Sequence, residues 1–358
     1  MINITKSYLP PLEEYVKYLE GIWERVYLTN NGPLVRQLEK DLKNYLGIEN
    51  LLYCSNGTIV LQMAIKALGL TKEIITTPFS YCASSNVILW ESCTPVFADI
   101  LPDDFTIDPA KIERLITEDT EAILATHVYG NMCRVEEIEA IAQKHKLKVI
   151  YDGAHTFGTV YNGQSALSYG DISTCSFHAT KVFHTVEGGL VTCKDPVVAE
   201  KLSQYRSFGH RFDEYFDFGI NGKNSEIHAA MGLCNLPRVP DLIAARKYRF
   251  GLYDTQLDLS KLERPNLRPG VDYNYAYYPV VFETEEKLLA VKAELETLDI
   301  FPRRYFYPSL NKLPFLKNYQ PCPVSEDIAL RVLCLPMYPD LEIEIIDTIC
   351  KVVNQHVN

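Results

Sequence analysis

Nowhere in this chain do two cysteines stand close enough in sequence to share a metal. Cys54, Cys82, Cys93, Cys133, Cys175, Cys193, Cys234, Cys322, Cys334 and Cys350 are scattered singly, with no CxxC pair. Neither a zinc knuckle nor a thioredoxin-like motif is supported. Several lie in apolar runs, such as Cys193 in Leu190-Val191-Thr192-Cys193, and read as small buried hydrophobes. No stretch reads as a membrane span, and MINITKSYLPPLEEYVKYLE lacks the apolar core of a secretion signal. Positive charge is also scarce: 35 Lys and Arg against 46 Asp and Glu leave a net charge of −11. That argues against nucleic-acid binding, which requires a basic footprint. It leaves room for an anionic small substrate, for which a local cationic patch is enough. Repeats and low-complexity tracts are missing too. A reduced, cytoplasmic setting is the expectation.

What is present is ordinary for a folded enzyme-sized chain: 358 residues, 47% hydrophobic and 23% charged. Up to about Leu236, short apolar runs alternate with helical patterns. Leu51-Leu52-Tyr53-Cys54, Ile74 to Thr77, Pro95 to Ala98, Ala122 to Ala125, Val149 to Tyr151 and Ile172 to Phe177 read as buried strands. Val35 to Tyr45, Ile59 to Leu68 and Val135 to Lys144 read as helices. Such alternation predicts an α/β fold with a largely parallel sheet covered on both faces. Pro237 and Pro240 punctuate the chain before further helices at Leu242, Glu285 to Leu298 and Ile343 to Val353. The expected division is a large domain, 1–240, and a smaller α+β domain, 241–358.

The chemistry-bearing segments follow strands, where open α/β sheets gather ligands. Lys181 ends Ser176-Phe177-His178-Ala179-Thr180-Lys181, shortly before Glu187-Gly188-Gly189. A lysine in an apolar, small-residue setting is desolvated and becomes a usable nucleophile. Asp152 closes an apolar run at Asp152-Gly153-Ala154-His155. It reads either as a helix N-cap or as a buried carboxylate facing a protonated ring nitrogen. Ser55-Asn56-Gly57-Thr58 opens the Ile59 helix, whose free amides and dipole favour a phosphate, or it is a plain strand–helix turn. Ser176 either reaches the same phosphate or is an inert strand hydroxyl. Tyr81 either packs in the core or stacks on a flat ring. His155 and His178 flank the two key motifs, and His184 reads as structural. An amine, a carboxylate and a phosphate cradle in this order suit pyridoxal phosphate.

Read together, the motifs resemble those of the DegT/StrS-type sugar-nucleotide aminotransferases. The likeness runs through Leu28-Thr29-Asn30-Asn31-Gly32-Pro33, Asn56-Gly57-Thr58, Thr77-Pro78-Phe79, His127-Val128-Tyr129-Gly130-Asn131, Asp152 to His155, Ser176 to Lys181 and Gly219-Ile220-Asn221-Gly222-Lys223-Asn224-Ser225-Glu226. The resemblance implies the fold-type-I pyridoxal phosphate architecture, that of aspartate aminotransferase. It implies Lys181 as the covalent anchor and proton carrier, and Asp152 as the partner of the ring nitrogen. His155 would lie near the ring hydroxyl, Tyr81 on the ring, and Gly57, Thr58 and Ser176 on the phosphate. It further implies a homodimer with shared sites, in which Asn221 reaches the neighbouring subunit's phosphate. Gly153 departs from the usual alanine or cysteine, which reads as a packing variation.

Within the family, His178-Ala179-Thr180-Lys181 with Glu187-Gly188-Gly189 resembles enzymes that aminate C4, closest to those making dTDP-4-amino-4,6-dideoxyglucose. The expectation is transfer of the amino group of L-glutamate, through pyridoxal and pyridoxamine phosphate, to a nucleotide-linked 4-keto-6-deoxy sugar. Arg303, Arg304 and Tyr305 are candidates for contacts to that substrate, or a surface arginine pair beside a tyrosine. The rivals are amination at C3, a pyridoxal phosphate enzyme of another reaction class, and a catalytically idle sensor on the same fold.

Overall fold

The computed structural model describes residues 1–357. Its centre is a seven-stranded sheet in the order Leu51–Cys54, Gly189–Cys193, Ile172–Ser176, Lys148–Asp152, Thr120–Thr126, Glu73–Thr76, Thr94–Phe97. Six strands run in one direction; Gly189–Cys193 alone is antiparallel to both neighbours. The expected α/β sheet is therefore present, mixed rather than purely parallel.

Successive strand residues face opposite sides, and here both sides are buried. Ile74, Leu124, Ile150 and Ile172 share a core with Val60, Leu61, Ala64 and Ile65 of the helix Gly57–Ala67. Ile75, Ile123, Val149 and Tyr151 share another core with Ile112, Val135 and Ile138. That double burial explains why these strands read as continuous apolar runs. Ile150 is fully buried, so truncation to alanine would cost about 2–5 kcal/mol.

Helix ends follow local chemistry. Asn56 caps Gly57–Ala67 by accepting from the Ile59 amide at 2.8 Å. The helix Pro33–Leu46 stops at Gly47 in the left-handed conformation, φ 67°. The proline punctuation behaves differently from the sequence expectation. Pro237 lies in a 3-10 turn and Pro240 in the first turn of the helix Val239–Gln256, so the chain continues helically across this region. A proline in a first helical turn sacrifices no intrahelical bond.

A separate core gathers Phe250, Tyr253, Tyr278, Val280, Leu288, Leu333, Ile346 and Val353. It packs the antiparallel pair Tyr278–Val281 and Val332–Leu335 against the helices Val239–Gln256, Glu285–Thr297 and Ile343–Val357. Ile2–Asn3 pairs in parallel with Ile300–Phe301, so the first residues lie with this C-terminal core. All ten cysteines are free; most are buried, while Cys82 and Cys193 are partly exposed. Among the described residues, no helix is long and apolar enough to cross a membrane.

Candidate active site

The carboxyl ends of the strands bring the predicted chemistry together. A cavity of ≈ 310 Å³ is lined by Gly57, Thr58, Tyr81, Asp152, His155, Ser176, Lys181 and Tyr305, all singled out from sequence. Three predicted residues are not on its wall. Arg304 pairs with Glu285 at 2.6 Å, donates to the Leu330 carbonyl and stacks on Tyr307 at 3.6 Å. Arg303 is exposed and lies over the Tyr305 ring at 5.7 Å, one side chain outside the wall. Asn221 is exposed in a loop that bridges back to Ser207.

Asp152 ends the strand Lys148–Asp152, and no helix starts there, so the N-cap reading fails. Its Oδ1 accepts from the Ala154 amide at 3.0 Å and its Oδ2 from Ser84 Oγ at 2.7 Å. Burial raises its pKa, while the Ser84 and Ala154 bonds and Lys181 pull it down. Gly153 beside it is fixed by packing. A Cβ there would sit 2.6 Å from Thr156 Oγ1 and 2.9 Å from the Thr174 carbonyl. Lys181 lies on the loop after Ile172–Ser176, partly exposed at the cavity wall. Burial lowers its pKa and Asp152 opposes that fall. His155 is buried, accepts from the Tyr129 amide through Nδ1 at 3.1 Å, and stacks on Phe306. Its proton therefore sits on Nε2. Burial, then Lys181, holds its pKa well below the ordinary value, so it stays neutral.

The same cavity holds the phosphate-sized cradle. The amides of Gly57 and Thr58 open the helix Gly57–Ala67, and the first amides of a helix lack intrahelical partners. Ser176 closes the cradle: a Cβ on Gly57 would lie 2.9 Å from Ser176 Cβ and 3.3 Å from its Oγ. Amine, carboxylate and capped helix end thus converge on one cavity, and this donor set fits pyridoxal phosphate.

The comparisons with known proteins agree with that fit. Residues 12–354 match the DegT/DnrJ/EryC1/StrS aminotransferase family. The chain belongs to this family. A dTDP-4-amino-4,6-dideoxy-D-glucose transaminase of Shigella dysenteriae is 39% identical over 99% of this chain and 98% of the relative. A UDP-N-acetyl-3-dehydro-alpha-D-glucosamine 3-aminotransferase of Acidithiobacillus ferrooxidans is 30% identical over 99% and 97%. Among solved structures, DesI in the presence of its TDP-sugar product superposes with a TM-score of 0.94 at 29% identity, covering 99% of this chain and 92% of that one. The chain is a sugar-nucleotide aminotransferase whose cofactor is pyridoxal phosphate.

In this aminotransferase the wall also includes residues that the sequence did not flag. Ser80, Ala83, Thr126 and Phe306 line the cavity, as does Tyr277 from Tyr273-Asn274-Tyr275-Ala276-Tyr277-Tyr278. Ser84 touches Asp152 directly. His178 and Glu187 line the cavity too, with Nε2 and Oε1 3.6 Å apart. His184 is structural as expected, meeting the Tyr8 carbonyl at 2.7 Å and receiving Asn235 at its own carbonyl. Tyr81 is 60% exposed, an aromatic face open to the cavity rather than a core residue.

Proposed function

We propose that this aminotransferase moves the amino group of L-glutamate to C4 of dTDP-4-keto-6-deoxyglucose, giving dTDP-4-amino-4,6-dideoxyglucose. The observation that carries the chemistry is the convergence of Lys181, Asp152 and the Asn56-capped helix end on one cavity. Choice of C4 rests on His178-Ala179-Thr180-Lys181 with Glu187-Gly188-Gly189 and on the 39% identical relative. The 30% identical relative that aminates C3 of another sugar keeps C3 as the competing reading.

When bound, the cofactor supplies an electron sink for the carbanion at the donor's Cα. Lys181 would hold it through Nζ and would move the proton at that Cα. Burial favours the neutral amine needed for both tasks. Asp152 would keep a proton on the pyridine nitrogen by its negative charge. Gly57, Thr58 and Ser176 would hold the phosphate, Tyr81 would cover the ring, and His155 would lie near the ring hydroxyl with its Nε2–H available. We assign the sugar's diphosphate to Arg303, which lies over the Tyr305 ring, rather than to Arg304, which is already paired with Glu285.

We assign residues 1–240 chiefly to cofactor binding and 241–358 to covering the cavity, with Tyr277, Tyr305 and Phe306 from the latter on its wall. A second copy of the chain completes the site. The hairpin preceding Asn221 exposes Phe212, Tyr215, Phe216 and Phe218, the first at 96%. An apolar cluster of that kind marks an interface. The substrate test is direct. The 4-keto and 3-keto dTDP sugars are incubated separately with glutamate and the amine is located by NMR. Faster amination of the 3-keto sugar would overturn the C4 assignment, and a galacto product would reverse the choice of face.

A further inference from the structure

The hydroxyls behind Asp152 form a chain with one sense. Ser84 Oγ is 2.7 Å from Asp152 Oδ2 and 2.8 Å from Ser80 Oγ, and Thr126 Oγ1 donates to Ser80 Oγ at 3.1 Å. Thr126 Oγ1 also lies 3.4 Å from Ser84 Oγ, a weaker contact. All four side chains are buried. An ionised carboxylate only accepts, so the single proton of Ser84 goes to Asp152. Ser84 then accepts from Ser80, and Ser80 from Thr126. Every hydroxyl proton points toward the carboxylate, and such chains strengthen cooperatively.

The chain gathers four separate pieces of the fold. Thr126 and Asp152 are register partners at the ends of adjacent parallel strands. Ser80 lies after the strand Glu73–Thr76, and Ser84 lies in the first turn of the helix Ala83–Trp90. Tyr81 falls between the two serines, so the same bonds fix the segment that carries it. Mutual satisfaction of buried hydroxyls needs no particular direction; a buried anion at one end imposes one.

We propose that Ser84, backed by Ser80 and Thr126, is a positioning residue that keeps Asp152 ionised and oriented toward the cofactor's ring nitrogen. This rests on the pyridoxal phosphate reading of the cavity. The groups facing Asp152 are Lys181 from the following loop, Cys133 after Thr120–Thr126, Cys175 on the adjacent strand, and His155 from the next turn. Burial pushes the Cys133 thiol up, moves the Cys175 thiol to about 12 and holds His155 neutral. Lys181 is the cation that bears on Asp152 directly, while His178 and Glu187 face each other at 3.6 Å on the same cavity wall, and the Asp152→Asn control below separates Asp152 from them. Removing the Ser84 proton donor raises the pKa of Asp152, so ionisation is lost at higher pH than in the unaltered protein.

The test follows cofactor binding rather than turnover. Apo-protein is titrated with pyridoxal phosphate across pH 5–9 by quenching of intrinsic fluorescence, with thermal melts alongside. Ser84→Ala is expected to bind about tenfold more weakly near pH 7 and to move the acid-side midpoint up by about one pH unit. Ser84→Thr should restore both, and Asp152→Asn should abolish the acid-side transition. An unchanged midpoint in Ser84→Ala, whatever its melting temperature, overturns the proposal, as does a shifted midpoint that Ser84→Thr leaves shifted. Failure of the unaltered protein to bind pyridoxal phosphate would instead overturn the functional reading, and this proposal with it.

Discussion

Asp152→Asn separates charge from shape at the centre of the site. Asparagine is nearly isosteric with aspartate and keeps one carbonyl oxygen, which can go on accepting from the Ala154 amide now bonded at 3.0 Å. Its NH2 then faces Ser84 Oγ, now 2.7 Å from Oδ2. Ser84 becomes the acceptor, and the Ser84–Ser80–Thr126 chain reverses without losing a bond. The fold should therefore be retained, with stability changed by less than about 1 kcal/mol. What disappears is the negative charge. Breaking one side of a buried charge pair costs about 3–5 kcal/mol, which is a loss on the order of 10² to 10⁴ in rate. Because the ring nitrogen needs its partner in both directions, both half-reactions should slow. Single-turnover absorbance measurements with glutamate, and then with keto sugar, read the two separately, while a melting curve reads stability. Turnover within threefold of the unaltered enzyme would refute the assignment of Asp152 to the ring nitrogen. A collapse of the melting temperature would refute the reversible hydroxyl chain.

Lys181→Ala should lose both the borohydride-trappable bond to cofactor and all turnover; covalent trapping in that variant would show that another lysine is the anchor. Gly57→Ala places a methyl carbon 2.9 Å from Ser176 Cβ, an overpacking of about 1–3 kcal/mol only partly offset by a helix-propensity gain of about 1 kcal/mol. Cofactor affinity should fall measurably in equilibrium dialysis, and unchanged affinity would remove Ser176 and Gly57 from the cradle. Mixing inactive Lys181→Ala with inactive Asn221→Ala under subunit exchange should restore part of the activity, whereas a fully active monomer by light scattering would exclude shared sites. Buried His127 has its pKa lowered to about 3 by burial, with Arg268 adding to the fall. The folded-state value lies below the unfolded 6.5, so this contribution to stability is full above 6.5 and is lost as pH falls toward 3. The slope is about 1.4 kcal/mol per pH unit. Urea unfolding of His127→Phe should show that much less acid sensitivity between pH 6 and 4, and equal slopes would contradict it.

The residues legible in the sequence were those whose chemistry is costly to bury. A lysine among small apolar residues and an aspartate ending an apolar run stand out because burial needs a reason. The paired strands were legible for a related reason, since double burial leaves unbroken apolar runs such as Ile123-Leu124-Ala125. The proline pair misled because proline weakens a helix only past its first turn, and Pro240 lies within it. Arg303 and Arg304 looked equivalent as neighbours. Their separation, one to the rim and one to Glu285, depends on where the helix Glu285–Thr297 packs.

Ser84 shows a limit of another kind. A serine is cheap almost anywhere, and Ala83-Ser84-Ser85-Asn86-Val87 carries no periodic signal that separates one hydroxyl from the next. Its role depends on the pairing of Thr126 with Asp152 across two strands and on the entry angle of the helix Ala83–Trp90. Those are long-range facts about register and packing. Local pattern fixes which face a strand residue takes, but not which helix lies against it. The groups assigned to the chemistry are thus written in residue type, and the groups proposed to hold them at the right charge are written in topology.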